Sequence, residues 1–352
     1  MCRDVNNLSR VFVFLAVALI LTGCGMGGPF SNKAASTPAD SSSKGMTSGP
    51  VFGAWWDSTG GQMRTVYGVA GAAFEGQTSY GGGAWAGAFV CTRRNLVLFA
   101  NSAGALSLAI LPNGQPVAVT GQGIPKPQVV FSPSCSSALV YSSGNTNALL
   151  VKGLPATPSV SNVALPAAAS GPAIADSGSV LLGVPQADGS VAIQLLTGGS
   201  STLHPIAVLS KLGGLAFLPG ADTALLADAG VSTVTEASQI AGNLSLAQVA
   251  GPSQGIAQPG AIAASADGHT AVVANQNNST IVKIDLSGQT ATVQSVCHCT
   301  PSELAPLAGN LVFRLNEAGS GTVWAYDGDS TTPRFAFIPT DQTASATQGA
   351  HP

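Results

Sequence analysis

Six cysteines, at positions 2, 24, 91, 135, 297 and 299, and four histidines are the residues here with most scope for chemistry. Cys297-His298-Cys299 places two thiols around an imidazole. Oxidised, a C-x-C pair closes a tight ring that is easily reduced. As a metal site it offers two thiolates and one imidazole, short of the four ligands a structural zinc takes. Three readings stay open: a Cys297–Cys299 disulfide, inert thiols, or a metal or redox role. His204, His269 and His351 show no ligand spacing, and His269 follows the turn pair Asp267-Gly268. No G-x-S-x-G elbow marks a nucleophile, and no glycine-rich phosphate loop stands between a strand and a helix. Asp176, Asp267 and Glu303 are the acidic candidates, each in a turn where such residues also occur for backbone reasons alone. Trp55, Trp56, Trp85 and Trp324 either pack inside the fold or form a surface for a carbohydrate or protein partner.

The elements that must position these residues are β-strands. Only 8% of the 352 residues are charged, while Gly numbers 43 and Pro 22. Helices need many Glu, Lys and Arg on their outer faces, and this chain lacks them; frequent turns and short apolar runs point to an all-β fold. The net charge of -3 is spread thinly without a basic stripe, which removes the electrostatic basis for binding nucleic acid. After the first 24 residues no apolar run approaches the roughly 20 residues that span a bilayer.

The stretch from Gly260 to Gln289 shows the organising unit: apolar run, turn at Asp267-Gly268, second apolar run, polar turn at Asn275 to Asn278, and a β-branched strand to Leu286. Its second run recurs at Leu96, Ala138, Val180, Ala224, Ala271 and Leu311, at intervals of 42, 42, 44, 47 and 40 residues. An apolar run precedes each, and a third and a looser fourth follow. Four strands per repeat of this length predict a β-propeller, because one small sheet cannot cover both its faces while stacked blades cover each other. One or two β-sandwiches are the competing fold. Six units run from about Ala84 to Thr340. Val51 to Trp56 and Met63 to Val69 form a hairpin resembling the last two strands of the final unit. Seven blades with one degenerate are expected, with six blades plus an N-terminal hairpin as the alternative.

Val273-Ala274-Asn275, followed by Ser279-Thr280-Ile281-Val282-Lys283-Ile284-Asp285, resembles the YVTN-type, WD40-like repeat of bacterial surface propellers. The resemblance covers one blade of about 45 residues and implies the fold; the other blades keep the shape without the signature. In this repeat Cys91 and Cys135 fall near the same turn of consecutive blades. Either they are buried free thiols or they bridge the blades, closing a loop of about 44 residues and stabilising by roughly 3–4 kcal/mol. Hydrolytic propellers that use calcium or zinc carry carboxylates at the channel mouth; by that likeness Asp176, Asp267 and Glu303 are the candidates for a shared site.

The N-terminus reads as an address. Arg3 and Arg10 form a basic region, Val11 to Leu21 an 11-residue apolar core, and Leu21-Thr22-Gly23-Cys24 resembles the lipobox of bacterial lipoproteins. The resemblance implies cleavage before Cys24, diacylglyceryl attachment to its thiol and acylation of its amino group. Each buried CH₂ of such an anchor contributes roughly 0.8 kcal/mol. Gly25, rather than Asp, follows the cysteine and by the same resemblance allows sorting to an outer membrane. The expected layout is a signal peptide over 1–23, lipidated Cys24 with a flexible tether over 24–50, a propeller over 51–340 and a polar tail over 341–352. The expected function is a lipid-anchored, monomeric cell-envelope propeller that binds a protein or glycan partner, is not an enzyme and uses no cofactor. The alternative is a metal-dependent, lactonase-like hydrolase with its site at the channel mouth.

Overall fold

The computed structural model describes residues 50–339, except 59, 81–84, 120, 199, 289 and 317–321. The expected signal peptide, Cys24, most of the tether and the tail over 341–352 lie outside the described residues. The described strands form seven antiparallel sheets, and the helical content is two short turns, Thr92–Arg94 and Pro252–Gln254. The first blade holds β1 (Val51–Asp57), β2 (Gln62–Tyr67) and β3 (Phe74–Ser79). The second holds β4 (Gly87–Cys91), β5 (Leu96–Ala100), β6 (Leu106–Ile110) and β7 (Val117–Val119). The third holds β8 (Gln128–Phe131), β9 (Ser137–Tyr141), β10 (Asn147–Lys152) and β11 (Ser159–Ala164). The fourth holds β12 (Ser170–Ile174), β13 (Val180–Pro185), β14 (Val191–Leu196) and β15 (Leu203–Leu209). The fifth holds β16 (Leu212–Phe217), β17 (Thr223–Asp228), β18 (Thr233–Ser238) and β19 (Ser245–Ala250). The sixth holds β20 (Pro259–Ala264), β21 (Thr270–Asn275), β22 (Thr280–Asp285) and β23 (Thr290–Val296). The seventh holds β24 (Ala305–Pro306), β25 (Val312–Arg314), β26 (Val323–Asp327) and β27 (Arg334–Ile338). Within every blade the strands lie side by side in chain order.

The second strand of each blade explains why the repeat is so visible in the sequence. In β5 all five residues, Leu96-Val97-Leu98-Phe99-Ala100, are buried, and β9, β17 and β21 are nearly so. Successive side chains leave a strand on opposite faces, and here both faces meet a neighbouring blade. Leu139 packs toward the fourth blade, while Ala138 and Val140 pack toward the second. A strand covered on both faces reads as a continuous apolar run. Outer strands such as β19, Ser245-Leu246-Ala247-Gln248 onward, face water and lose the pattern.

Each junction between blades has its own apolar cluster. Ala54 and Met63 of the first blade meet Val97 and Phe99 of the second. Further clusters join the second blade to the third, the third to the fourth, the fourth to the fifth, the fifth to the sixth and the sixth to the seventh. Phe52, Trp55 and Val66 meet Leu307, Val323 and Ile338 and join the seventh blade to the first. The ring is therefore closed: a seven-bladed β-propeller with one three-stranded blade among the described residues, rather than six blades with an extra hairpin.

The first blade corrects the sequence reading in two ways. The glycine-rich stretch after Val69 contains a strand, β3, and β1 lies inside the ring rather than at its rim. Its direction also differs from that of the other leading strands. The turns after β4, β8, β12, β16, β20 and β24 bond to one another on a single face, described below, so those strands all end there. Along β1 the order is reversed. Phe52 O accepts a hydrogen bond from Ala308 N–H at the end of the seventh blade's leading strand, at 2.8 Å. Trp55 instead lies against the Arg314 guanidinium, and Arg314 pairs with Ala305 at that strand's start. β1 thus starts on the face where the others end and runs as a second strand does.

Candidate functional site

Two adjoining cavities, of about 390 and 730 Å³, occupy the middle of the ring. The smaller is walled by leading-strand residues of the second to seventh blades, among them Val130, Ile174, Ala216 and Ile262. These strands are made of small and β-branched residues because they converge on the axis. At Gly213 of β16, an added Cβ would run into the Pro259 carbonyl oxygen of β20.

Arg93, in the turn after β4, ties together blades on the turn face. Its Nη1 donates to Pro133 O of the third blade at 2.8 Å, and its Nη2 donates to Ala264 O of the sixth at 2.9 Å. Burial pulls the guanidinium's pKa down, and the charges of Asp176 and Asp267 pull it back up. Asp176, in the turn after β12, ties three blades. Its Oδ1 accepts from Ser134 N–H at 2.9 Å and Ser134 Oγ–H at 2.6 Å, and its Oδ2 accepts from Gly220 N–H at 3.0 Å. Burial alone would raise its pKa; the hydrogen bonds from Ser134, Gly220 and Ser132 outweigh that and hold it below the ordinary carboxylate value. Asp267, in the turn after β20, accepts from Ser265 Oγ–H at 2.6 Å and from Asn310 Nδ2–H of the seventh blade at 2.8 Å. Asn310 Oδ1 in turn accepts from Asp267 N–H at 2.9 Å. The Ser265 bond is the main reason the Asp267 pKa is lowered.

The crossover face, where the chain passes from blade to blade, carries different groups. Glu303 accepts from Arg314 Nε–H at 2.7 Å, and the Arg314 guanidinium stands 5.8 Å from the Trp55 ring centre. Tyr141 and Gln128 line the larger cavity with them, and burial raises the Tyr141 pKa. Glu303 is thus held by Arg314, while Asp176 and Asp267 are held on the turn face; the three carboxylates expected to converge do not form one cluster. Among the described residues no group of three or more His, Cys, Asp and Glu could hold a metal ion.

The structure joins Cys91 to Cys135 across the second and third blades, with Cα atoms 6.0 Å apart, and Cys297 to Cys299, with Cα atoms 5.0 Å apart. Cys297 is buried between the sixth and seventh blades, His298 is exposed, and His204 and His269 are exposed as well. His351 lies outside the described residues. The tryptophans pack at junctions: Trp55 between the seventh and first blades, Trp56 and Trp85 between the first and second, Trp324 between the sixth and seventh. Sequence reasoning passed over Arg93, Ser134 and Arg314. Arg93 was findable, because Arg93-Arg94 is a rare charged pair standing in the same repeat position as Pro133 and Asp176.

No family model matches the chain, and no curated protein matches it in sequence. Solved structures match it in shape. A functionally unknown protein from Desulfotomaculum acetoxidans DSM 771 aligns with a TM-score of 0.56 and 15% identity over 83% of this chain and 100% of that one. Streptogramin B lyase aligns with a TM-score of 0.51 and 14% identity over 73% of this chain and 85% of that one. A nidogen/laminin complex chain aligns with a TM-score of 0.42 and 13% identity over 68% of this chain and 90% of that one. At such identities the likeness is one of fold: the chain has the seven-bladed β-propeller architecture, with streptogramin B lyase among its structural neighbours.

Proposed function

We propose that this protein is a lipid-anchored, monomeric propeller of the bacterial cell envelope that binds a protein or glycan partner without catalysing a reaction. The anchor rests on Val11 to Leu21 and Leu21-Thr22-Gly23-Cys24, whose order suits cleavage and lipidation at Cys24. One observation carries the binding reading. The channel-side carboxylates that could have served as metal ligands are taken up as structural acceptors: Asp176 by Ser134 and Gly220, Asp267 by Ser265 and Asn310, Glu303 by Arg314. A carboxylate satisfied by fixed donors of neighbouring blades must break those bonds before it can coordinate a cation or move a proton. The ring then serves as a rigid support presenting short turns on two faces, held to the membrane by a tether rich in Ser, Gly and Pro.

The test uses the full chain in its native membrane. Cys24→Ser is expected to release the protein from the membrane fraction, and crosslinking of the anchored form is expected to trap one recurrent envelope partner. Metal analysis with calcium titration decides against the alternative hydrolase: the binding reading expects no stoichiometric metal and no calcium-dependent rise in Tm. A stoichiometric metal with a large calcium-dependent rise would replace it with metal-assisted hydrolysis.

A further inference from the structure

The two disulfides among the described residues differ in what they can do for the fold. Cys91 and Cys135 are both buried in the apolar cluster between the second and third blades, and their bridge spans a sequence separation of 44. Cys297 and Cys299 are 2 residues apart. The stabilisation a bridge gives by restricting the unfolded chain grows with the loop it closes, so the second bridge contributes the less of the two. Its surroundings do not depend on it either. Residues 297–304 are the crossover from β23 to β24. At the start of this segment Cys297 N–H donates to Ser279 O at 2.8 Å. Near its end Ser302 N–H and Glu303 N–H donate to Leu315 O at 2.9 and 3.2 Å. Both anchors are backbone hydrogen bonds to other parts of the sixth and seventh blades, and neither needs the S–S bond.

The two sulfurs of this bridge also stand in different places. Cys297 is 3% exposed and belongs to the apolar cluster that holds Val272, Ile281 and Leu304. Cys299 is half-buried at the margin of the same cluster, and its chain neighbours His298 and Thr300 are exposed. An incoming thiolate can therefore reach Cys299 and not Cys297. When the bridge opens, Cys297 is left as a neutral thiol among apolar side chains, where cysteine behaves as a small hydrophobe. Reduction thus leaves no buried charge and no broken backbone anchor. Bridges that are exposed, or closed over a tight ring, are the reducible ones, while a buried bridge between two blades resists reduction.

We propose that Cys297–Cys299 is a thiol–disulfide exchange site that passes its bridge to a protein presenting two thiols close enough to join. A thiolate of that partner attacks Cys299 Sγ. The S–S bond breaks, and its electron pair leaves with Cys297 Sγ, which takes a proton from solvent. The partner's second thiolate then attacks the partner sulfur of the mixed disulfide, and Cys299 Sγ leaves and is protonated in turn. Two electrons pass from the partner's dithiol to the pair: the partner is oxidised to a disulfide, and Cys297 and Cys299 are reduced to thiols. One exchange consumes the bridge, so the step is stoichiometric, and an external disulfide restores it by the reverse route. The exchange adds a covalent step to the recognition of a protein partner. It rests neither on the membrane anchor nor on any group of the channel.

The test uses the full chain and follows the two bridges separately. The protein is equilibrated in glutathione buffers of increasing reducing strength and alkylated, and the peptides holding Cys91, Cys135 and Cys297–Cys299 are resolved by mass. Cys297–Cys299 is expected to reach half reduction in a buffer at least about tenfold less reducing than Cys91–Cys135 requires. Reduction of both bridges together, or of Cys91–Cys135 first, overturns the proposal, as does alkylation of Cys297 and Cys299 without any reductant. This readout needs no variant to fold. Mixed with a reduced synthetic peptide bearing two cysteines, the oxidised chain is expected to yield about one peptide disulfide per chain, and the double variant Cys297→Ala, Cys299→Ala none. A peptide that stays reduced overturns the proposal, and so does an equal yield from the variant. Cys297→Ser keeps the thiol at Cys299 and is expected to react with an aromatic disulfide at least about tenfold faster than Cys299→Ser, which keeps the buried thiol. Equal rates overturn the assignment of Cys299 as the sulfur attacked.

Discussion

Replacing Asp176 by asparagine changes one atom and should loosen three blades. The carboxylate accepts from Ser134 N–H and Oγ–H through Oδ1 and from Gly220 N–H through Oδ2, at 2.6 to 3.0 Å. An asparagine has one acceptor oxygen and one donor NH₂. With its oxygen turned to Ser134, its NH₂ meets the Gly220 N–H, and a donor faces a donor. A hydrogen bond to a charged group contributes about 1.5–3 kcal/mol, and the partial exposure of Asp176 places the loss near the middle of that range, at about 2 kcal/mol. For a domain of this size that lowers Tm by about 3 °C at pH 7. The pH dependence separates a charge effect from a packing effect. The folded pKa of Asp176 lies below the unfolded value, so its contribution is present above the unfolded pKa of about 3.9 and is lost as pH falls through the folded value. The gap in Tm between wild type and Asp176→Asn should therefore be constant above about pH 5 and shrink toward about pH 3. Thermal melts followed by circular dichroism across that range are the assay. A gap under about 1 °C at pH 7, or one that persists unchanged in acid, refutes the argument.

Two further outcomes follow from the same geometry. The Cys91–Cys135 bridge closes a loop of 44 residues between two blades, and removing it by the double change Cys91→Ala and Cys135→Ala should cost about 4 kcal/mol. Reductant should lower the Tm of the wild type toward that of the variant, and a wild type indifferent to reductant would mean free thiols. The Tyr326 hydroxyl is buried without a hydrogen-bond partner among the described residues, and burial first, then Asp327 and Asp329, push its pKa up to about 12 from 10.0. Below the unfolded value the phenol is neutral in both states and the shift has no effect; as pH rises from 10.0 toward about 12 the unfolded chain ionises first and the fold loses stability. Tyr326→Phe should leave Tm unchanged at pH 7 and flatten the alkaline decline, and a variant that declines as steeply as the wild type would show that other groups control it.

What the sequence made legible is what burial on two faces writes into it. The runs beginning at Leu96, Ala138, Val180, Ala224, Ala271 and Leu311 mark second strands because neighbouring blades cover both sides. The Asn275 of the best repeat unit has a visible reason as well. It is buried, its Nδ2 donates to Gly255 O at 2.8 Å and to Thr280 Oγ1 at 2.9 Å, and its Oδ1 accepts from Ala257 N–H at 3.0 Å. A single side chain pins the crossover to the hairpin that follows. β3 escaped notice because Phe-Glu-Gly-Gln-Thr-Ser has neither an apolar run nor an alternation. The sense of β1 escaped because hairpin patterning reports which strands pair, and a hairpin reads alike whichever way it runs around an axis. The ties on the turn face escaped because Asp267 also caps its own turn, accepting from His269 N–H at 3.0 Å, and Asp176 stands in a turn where Asp is common for backbone reasons; neither gives a sign of a partner some 43 residues away.

The scarcity of charge in this chain becomes intelligible from where the charges stand. The ion pairs of Arg64 with Asp57 and Glu75, of Arg314 with Glu303 and of Arg334 with Asp327 each lie within a single blade. Across blade boundaries several charged groups meet neutral partners instead: Arg93 the carbonyls of Pro133 and Ala264, Asp176 the N–H groups of Ser134 and Gly220 and the Ser134 hydroxyl, Arg334 the carbonyl of Ala70. A charge on a backbone dipole is directional, so it fixes the rotation of one blade against the next more tightly than apolar contact between Ala, Val and Leu can. The apolar clusters hold the blades together and the few charges set their angles.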